Sequence, residues 1–127
     1  MAARVYQIML TKTQRDAINK HGWDQVDAGK AKMNVMNEGF KGWLPHYQQY
    51  YKLAYELKSD DLDEIFELTN LWNDPERVEK CNDRATSTSV GDIIELDGTK
   101  MYMVDPFGFT RMHVFEDEIS EEVDSDE

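Results

Sequence analysis

The sequence predicts an α+β domain in which helices pack on a small antiparallel sheet. Two features carry this prediction: β-rich runs flank Asp97-Gly98, and an apolar stripe at helical spacing follows Ser59. Asp-Gly between two such runs is a strong hairpin signal, because both residues tolerate the backbone angles of a tight turn. The chain of 127 residues suits one domain. We expect that domain over residues 1–115 and an acidic tail over residues 116–127.

The N-terminal part of the chain predicts one strand and two helices. Residues 5–10 are β-rich, so we expect a strand there that can join the sheet. Thr13 is placed to cap a helix that stops at Gly22. A second helix is expected over residues 24–37, although Gly29 interrupts its apolar stripe. The two glycines and two large aromatics that follow predict a tight loop.

A third helix is expected from Leu44-Pro45 onward, because proline at the first helical position lacks only an N–H that needs no partner. Residues at helical spacing follow it: Tyr47, Tyr50, Tyr51, Ala54 and Leu57. The tyrosines have two interpretations. They pack in the core with their hydroxyls reaching water, or they form an aromatic contact surface for a protein or for exposed bases.

The fourth predicted helix begins at a cap on Ser59 and ends before Pro75. Its apolar stripe consists of Leu62, Ile65, Phe66, Thr69 and Trp72. Acids occupy its first turn and its other faces: Asp60, Asp61, Asp63, Glu64 and Glu67. This pattern is typical of an amphipathic helix with an acidic exterior. We expect the helix to cover one face of the sheet, with Ile94 and Phe109 beneath it.

The hairpin is expected over residues 91–104. With Asp97 and Gly98 as its two turn residues, Glu95 would lie opposite Lys100, and the opposite charges would support this register. The hairpin therefore supplies the first two of three C-terminal strands.

The chain before and after the hairpin reads as irregular structure and one more strand. Residues 76–79 predict a brief helical turn, and residues 84–89 predict a polar linker. The Pro and Gly of residues 105–108 predict a second turn. A third strand is then expected over residues 109–115.

Charge is unevenly distributed along the chain. The sequence has 26 acids, 14 bases and a net charge of −12. Eight of the acids and none of the bases lie in residues 116–127, so the preceding residues carry only −4. Ile119 and Val123 are too few apolar residues to offset the entropy of ordering this tail, so we expect it to be disordered. It acts either as a solubilising tail or as an arm that competes for a basic surface on a partner.

Motifs of catalysis are nearly absent from the sequence. It has no Gly-rich phosphate loop and no Gly-x-Ser-x-Gly elbow, and its three histidines lie far apart. Acids flank Cys81 and would raise the pKa of its thiol. Residues 60–64 lack the glycine and the terminal glutamate of a calcium loop. Turn chemistry accounts for Asp92 and Asp105. We therefore predict no enzyme activity, no cofactor and no metal.

The sequence also bears on location. Its longest uninterrupted apolar runs are a few residues, so it predicts no transmembrane helix and no membrane partner. The first residues lack the apolar core of a secretory signal. The single cysteine cannot form an internal disulfide, which fits a reducing cytoplasm.

Two stretches of the sequence are similar to known proteins. Residues 51–70, with the core Asp-Asp-Leu-Asp-Glu-Ile-Phe-Glu-Leu-Thr-Asn, resemble small proteins of tailed phages, cyanophages included. Residues 87–94, with a Val-Gly-Asp strand entry, and residues 102–109, with a Gly-Phe ending, resemble the same proteins and also the YodL-like domain of mobile elements. The resemblance covers about residues 47–112. It brings no activity and implies a phage accessory protein in the cytoplasm of an infected bacterium.

The function that these features favour is non-catalytic binding. Acidic side chains would bind the basic surface of a host or phage nucleic-acid-processing protein and modulate or inhibit it. The expected contact residues are Asp60, Asp61, Asp63, Glu64, Glu67, Glu116, Asp117, Glu118, Glu121 and Glu122. Direct nucleic-acid binding is not expected, because the body of the protein is itself acidic.

Two other functions stay open. One is a structural or assembly protein of the virion. The other is a small ligand-binding domain or enzyme with a site near the hairpin, built from the polar groups Asp92, Tyr102, Asp105 and Arg111. A pocket lined by these four side chains would favour the ligand-binding or enzyme hypothesis.

Overall fold

The structure, a computed structural model, describes residues 2–71 and 76–112. Within these residues the chain forms six strands and three α-helices, which confirms the α+β class. The strands are β1 (Ala2–Ile8), β2 (Tyr51–Lys58), β3 (Val78–Lys80), β4 (Ile93–Leu96), β5 (Lys100–Asp105) and β6 (Gly108–Arg111). The α-helices are α1 (Lys12–His21), α2 (Asp27–Glu38) and α3 (Leu62–Leu71). Short 3₁₀ helices lie at Trp23–Gln25, Gly39–Gly42 and Pro45–Tyr50.

The strands form one sheet in the order β3-β2-β1-β4-β5-β6, and every neighbouring pair is antiparallel. The predicted N-terminal strand is confirmed, and it lies in the middle of the sheet rather than at its margin. There β1 is bonded to β2 on one side and to β4 on the other. Ala3 and Val5 on this strand are fully buried. The first residues of the chain are therefore central to the fold.

Helices cover both faces of the sheet, whereas the sequence predicted one covered face. Neighbouring residues of β4 show this, since successive side chains of a strand point to opposite faces. Ile93 packs in the core that contains α1 and α2, and Ile94 packs in the core that contains α3. Met103 and Val104 of β5 divide in the same way. Each of the two strands therefore has apolar side chains on both faces, because both faces of the sheet are buried.

Helix α1 begins two residues earlier than the sequence predicted. Thr11, and not Thr13, is its cap: its hydroxyl accepts from the backbone N–H of Gln14, whose side chain in turn accepts from the N–H of Thr11. This reciprocal pair is a capping box, and it satisfies two otherwise free donors. The predicted stop at Gly22 is confirmed.

Gly29 lies where helix α2 crosses α1, which explains a glycine inside a helix. A Cβ on Gly29 would lie 2.7 Å from Cδ1 of Ile18 and 3.2 Å from the ring of Trp23. An added Cβ would have to displace the end of the Ile18 side chain and would press on the Trp23 ring, so glycine suits this close packing. Gly29, which interrupts the apolar stripe of this helix in the sequence, is therefore a packing contact between α2 and α1.

Helix α3 matches its prediction in position and in buried face. Its cap is Asp61 rather than Ser59, because Asp61 Oδ1 accepts from the N–H groups of Asp63 and Glu64. Ile65 is fully buried against the sheet. The apolar residues of this layer include the predicted pair Ile94 and Phe109 together with Leu62 and Phe66. The rings of Phe66 and Phe109 meet edge to face with centroids 6.4 Å apart. Trp72 and Pro75 lie outside the described residues.

Residues 44–58 contradict the sequence-based prediction of a helix. A 3₁₀ helix at Pro45–Tyr50 leads into strand β2. The pairing of β2 with β1 skips Ala54, which marks a β-bulge. Ala54 and the next residue, Tyr55, are consequently buried in the same core. Two consecutive buried side chains break the alternation of a strand and imitate the spacing of a helix, which explains the error.

The tyrosines of this region pack in or against the core, which agrees with the first of the two interpretations given above. Tyr47 is buried, and Tyr50 and Tyr51 pack against the same core. Two hydroxyls bind protein groups rather than water alone. Asn34 Nδ2 donates to the hydroxyl of Tyr47 over 2.8 Å, and the hydroxyl of Tyr51 donates to the carbonyl of Gly91 over 2.6 Å.

The hairpin forms at the predicted place with a register shifted by one residue. Asp97 and Gly98 have positive φ, as expected, but the loop includes one further residue, so Leu96 pairs with Lys100. Glu95 therefore faces Met101, and the predicted cross-strand ion pair does not form. The carboxylate turns instead to the neighbouring central strand, where Nη1 of Arg4 lies 3.6 Å away.

The remaining edges of the sheet differ from the predictions in small ways. Strand β3 forms where a helical turn was expected, and it pairs with β2 at the sheet margin. The second turn is confirmed, with Asp105 pairing with Gly108. The third C-terminal strand is present as β6. Residues 113–115 of its predicted extent, and the acidic tail over 116–127, lie outside the described residues.

Candidate functional site

The irregular segment of residues 81–92, which we call the crossing segment, joins β3 to β4 and passes over one end of the sheet. The sequence predicted a polar linker over residues 84–89, yet Ala85 and Thr88 within it are buried, as is Asp92 after it. The segment contacts both helical layers. The hydroxyls of Thr88 and Thr69 of α3 lie 2.5 Å apart. At the other end of the segment, a Cβ on Gly91 would lie 2.8 Å from the side chain of Val35 on α2.

A buried polar network fixes the crossing segment to the central strand. Gln7 Nε2 donates to Oδ2 of Asp92 and to the carbonyl of Thr86, each over 2.9 Å. The same amide accepts from the N–H of Thr86 over 3.0 Å. The N–H of Ser89 also donates to Oδ2 of Asp92, over 2.9 Å. The Gln7 amide thus both donates to and accepts from the backbone of the crossing segment, which belongs to no strand or helix.

Burial changes the ionisation of Asp92. Asp92 is 8% exposed as a residue. Loss of solvation raises its pKa from 3.8 to about 7, although bonds from Ser89 and Gln7 and the charge of Lys32 act in the opposite direction. Burial likewise lowers the pKa of Lys32, and Asp92 partly restores it. The Lys32 ammonium donates to the carbonyl of Ile8 over 3.0 Å. The end of the sheet therefore holds one carboxyl that titrates near neutrality.

Two clefts open on either side of Lys32. The first has a volume of about 170 Å³ and lies between the end of β1, the start of α1 and the crossing segment. Arg15, Lys32 and Arg84 line it, together with Thr86. The second has a volume of about 220 Å³, and its lining includes Val35 and Met36 of α2 and the backbone of residues 89–92. Lys32 lines both clefts, so it forms part of the wall that they share.

The acidic residues predicted as a contact surface divide into two groups. Asp61 caps α3, and Glu64 accepts from Ser59 and pairs with Arg77 over 2.8 Å. These bonds lower the pKa of Glu64, that from Ser59 most strongly. The other members on α3 or just before it are exposed: Asp60, Asp63 and Glu67. The predicted tail contacts lie outside the described residues: Glu116, Asp117, Glu118, Glu121 and Glu122.

The sheet separates two helical layers of opposite charge. Residues 11–43, which contain α1 and α2, have six bases and four acids. Residues 59–71, which contain α3 and its cap, have five acids and no base. The acidic face predicted from the sequence is therefore one side of a molecule whose other helical layer is basic.

The four polar residues proposed for a hairpin site do not meet in one pocket among the residues described. Asp92 belongs to the network with Gln7. Asp105 accepts from the N–H of Phe40 over 2.7 Å and also binds Thr110. Arg111 lies over the ring of Tyr102, 5.6 Å from its centroid. Each of these residues has a structural partner of its own.

Cys81 lies near two carboxylates at the sheet margin. Ligand atoms of Cys81, Glu56 and Glu79 lie within 4.8 Å of one another. Burial raises the pKa of the thiol, and the two carboxylates add to the shift, as the sequence predicted for neighbouring acids. Nε of Arg4 already binds Glu56 over 2.8 Å. The cluster thus favours a neutral thiol beside a paired carboxylate.

Of the residues that line the clefts, sequence reasoning named only Asp92 as a candidate site residue, and it grouped Asp92 with other partners. Gln7 gave the strongest available signal, because it is a polar residue inside a β-rich run that proved to be a central strand. Arg15, Lys32 and Arg84 lie far apart in the sequence, and only the fold brings them to one place.

No family model, curated protein sequence or solved structure matches this chain. The resemblance to phage proteins and to the YodL-like domain therefore stays a prediction from sequence motifs. In residues 2–71 and 76–112, no helix combines the length and apolar character that crossing a membrane requires.

Proposed function

We propose that this protein acts by non-catalytic binding, with the exposed acids of α3 engaging a basic surface on a protein partner. The observation that supports the proposal is the division of charge across the sheet: residues 59–71 contain acids and no base, while the opposite layer has an excess of bases. A surface of one sign attracts a partner of the other sign and speeds their association.

The contact set is narrower than the sequence alone suggested. Asp61 and Glu64 hold the start of α3 in place through bonds within the protein. Asp60, Asp63 and Glu67 are exposed. We therefore assign the partner contacts on α3 to these three residues, and we propose that the acids of residues 116–127 add to them.

The partner that we propose is a nucleic-acid-processing protein of the host or of a phage. Such proteins have basic grooves for phosphates, and exposed carboxylates can compete for those grooves. The motifs of residues 51–70 and 87–94, which resemble phage proteins, support a phage accessory role in the cytoplasm of an infected bacterium.

The test compares two triple variants of the full chain. One neutralises the α3 acids (Asp60→Asn, Asp63→Asn and Glu67→Gln), and the control neutralises three exposed acids of the opposite layer (Asp16→Asn, Asp24→Asn and Glu38→Gln). Each is used for affinity capture from bacterial lysate at low and at physiological salt. We expect the wild-type and control proteins to retain the same partner at low salt and to lose much of it at higher salt, since exposed charges are screened beyond ~8–10 Å. The α3 variant should retain little at either salt concentration.

Three outcomes would change this proposal. Equal capture by the two triple variants would show that the α3 acids are not the contact. Deletion of residues 116–127 with no loss of affinity would restrict the contact to α3 and make the tail a solubiliser. Recovery of the protein in purified phage particles, with no captured partner, would favour the virion alternative.

A further inference from the structure

We propose that the cleft between β1, α1 and the crossing segment binds the phosphate group of a small molecule. This site lies away from the acidic face of α3 and does not depend on the protein partner proposed above. The residues that would bind the phosphate are Arg15, Lys32 and Arg84, which line a cleft of about 170 Å³.

The three cations come from three separate parts of the fold. Arg15 lies in the first half of α1, Lys32 lies in the middle of α2, and Arg84 lies in the crossing segment. Cations spread along one exposed helix face are common and say little about a ligand. Cations brought from three elements to a single concave surface form a site that can surround an anion, and arginine forks match the geometry of phosphate oxygens.

None of these three side chains forms an ion pair with any residue in the described ranges 2–71 and 76–112. Lys32 uses a donor on the carbonyl of Ile8, and an ammonium group has three donors. Its charge is held in a partly dry position, where an anion interacts with it more strongly than in water. The exposed guanidinium groups of Arg15 and Arg84 supply the donors at the mouth of the cleft.

No carboxylate lines the first cleft among the residues described, and Asp92 lines the second cleft, which shares Lys32 with the first. Its Oδ2 accepts from Gln7 and Ser89, so its charge is already directed into the protein. Because the pKa of Asp92 is raised to about 7, this carboxyl is largely neutral below neutral pH and repels an anion less than an exposed aspartate would. Asp16 follows Arg15 in the sequence and Asp83 precedes Arg84, and both aspartates are exposed.

Size suggests what accompanies the phosphate. Pockets for drug-sized ligands usually have volumes of ~300–1,000 Å³. The first cleft, at about 170 Å³, is below that range, and so is the second, at about 220 Å³. The two together reach it. A phosphate bound by the cations would leave the second cleft, with the apolar side chains of Val35 and Met36, for the organic part of a phosphate ester.

The experiment is calorimetric titration of the full chain with three probes: inorganic phosphate, adenosine monophosphate and adenosine. We expect both phosphate-bearing probes to bind and adenosine to bind much more weakly or not at all. Tighter binding of the nucleotide than of inorganic phosphate identifies an ester as the preferred ligand. Equal binding of the two identifies the free anion. Both results support the site.

The variants locate the binding. Arg15→Gln, Arg84→Gln and Lys32→Met should each weaken phosphate binding about tenfold or more, the loss expected for one charge-assisted hydrogen bond. Lys20→Gln, on the same helix as Arg15 but not lining the cleft, should leave phosphate binding unchanged.

Arg15 and Arg84 are exposed, so their variants should stay folded even if Lys32→Met does not. No uptake of phosphate up to about 10 mM, enough to fill any site of millimolar affinity, overturns the proposal. An equal loss in Lys20→Gln also overturns it.

Discussion

The two helical layers of this protein are built from different chemistry although they pack on the same sheet. The α3 layer has an apolar interior centred on Ile65, and its exposed charges are acids. The α1–α2 layer adjoins a buried network with Asp92 and a half-buried lysine, and residues 11–43 contain six bases and four acids. The sheet lies between the acidic residues of the α3 layer and the bases of the α1–α2 layer. The net charge of −12 therefore describes neither surface of the molecule.

The largest effect should come from breaking the apolar layer. Ile65→Ala removes a fully buried side chain from the contact of α3 with the sheet, and it should cost about 2–5 kcal/mol. That is a large share of a total stability of ~5–15 kcal/mol. Urea unfolding followed by circular dichroism measures it. Met36→Ala, at a side chain 45% exposed on α2, is the control and should change stability little. A wild-type unfolding midpoint for Ile65→Ala would show that α3 does not hold this layer.

The second effect tests the polar side of the comparison and depends on pH. The pKa of Asp92 is raised to about 7 in the folded protein and is near 3.8 when unfolded. Between these values the folded state keeps a proton that the unfolded state releases, so stability falls as pH rises, and the loss is complete above about pH 7. The Asp92→Asn variant has no titratable group at this position. Its free energy of unfolding should therefore increase relative to that of wild type as the pH is raised from 4 to 8, by on the order of 2–4 kcal/mol. Parallel stability curves for the two proteins would contradict this.

The smallest effect concerns the ion pair at the start of α3. Arg77 and Glu64 meet at 2.8 Å, but their side chains are 42% and 43% exposed. Surface pairs of this kind contribute little to folding. Arg77→Gln should therefore unfold at a urea concentration indistinguishable from that of wild type. Arg4→Gln should shift the midpoint more, because it also removes the cation beside Glu95, a side chain only 10% exposed. A larger shift for Arg77→Gln would reverse this ranking.

The sequence predicted those elements whose residues obey one periodicity and one local signal. Helix α3 has a continuous apolar stripe, and the hairpin has Asp97-Gly98, so both were found. Strand β2 was mistaken for a helix because a bulge at Ala54 buries two successive residues. The hairpin register was wrong by one residue because the loop includes Thr99 as well as Asp97 and Gly98. Glu95 faces Arg4 on β1 instead of Lys100, and no local pattern shows that a third strand lies alongside.

The candidate site could be predicted only in part for the same reason. The α3 acids are contiguous in sequence, so they were identified, although their capping role was assigned to Ser59 instead of Asp61. The cleft depends on contacts between distant residues: Gln7 binds Asp92 across 85 positions. A single sequence gives no sign of such a pair. From the sequence, Asp92 was interpreted either as a turn residue or as part of a hairpin site, whereas it binds Gln7 and burial raises its pKa to about 7.

The central position of β1 limits how this protein can be divided or inherited. The resemblance predicted from the sequence covers about residues 47–112, yet the strand that joins the two halves of the sheet is Ala2–Ile8. A gene fragment for 47–112 alone would encode a β2–β3 ribbon and a separate β4–β5–β6 ribbon, with no strand between them. A two-stranded ribbon is at best marginally stable in water. Removal of Ala2–Ile8 would therefore separate the sheet into two parts, so any transfer of this fold between genes has to include that strand.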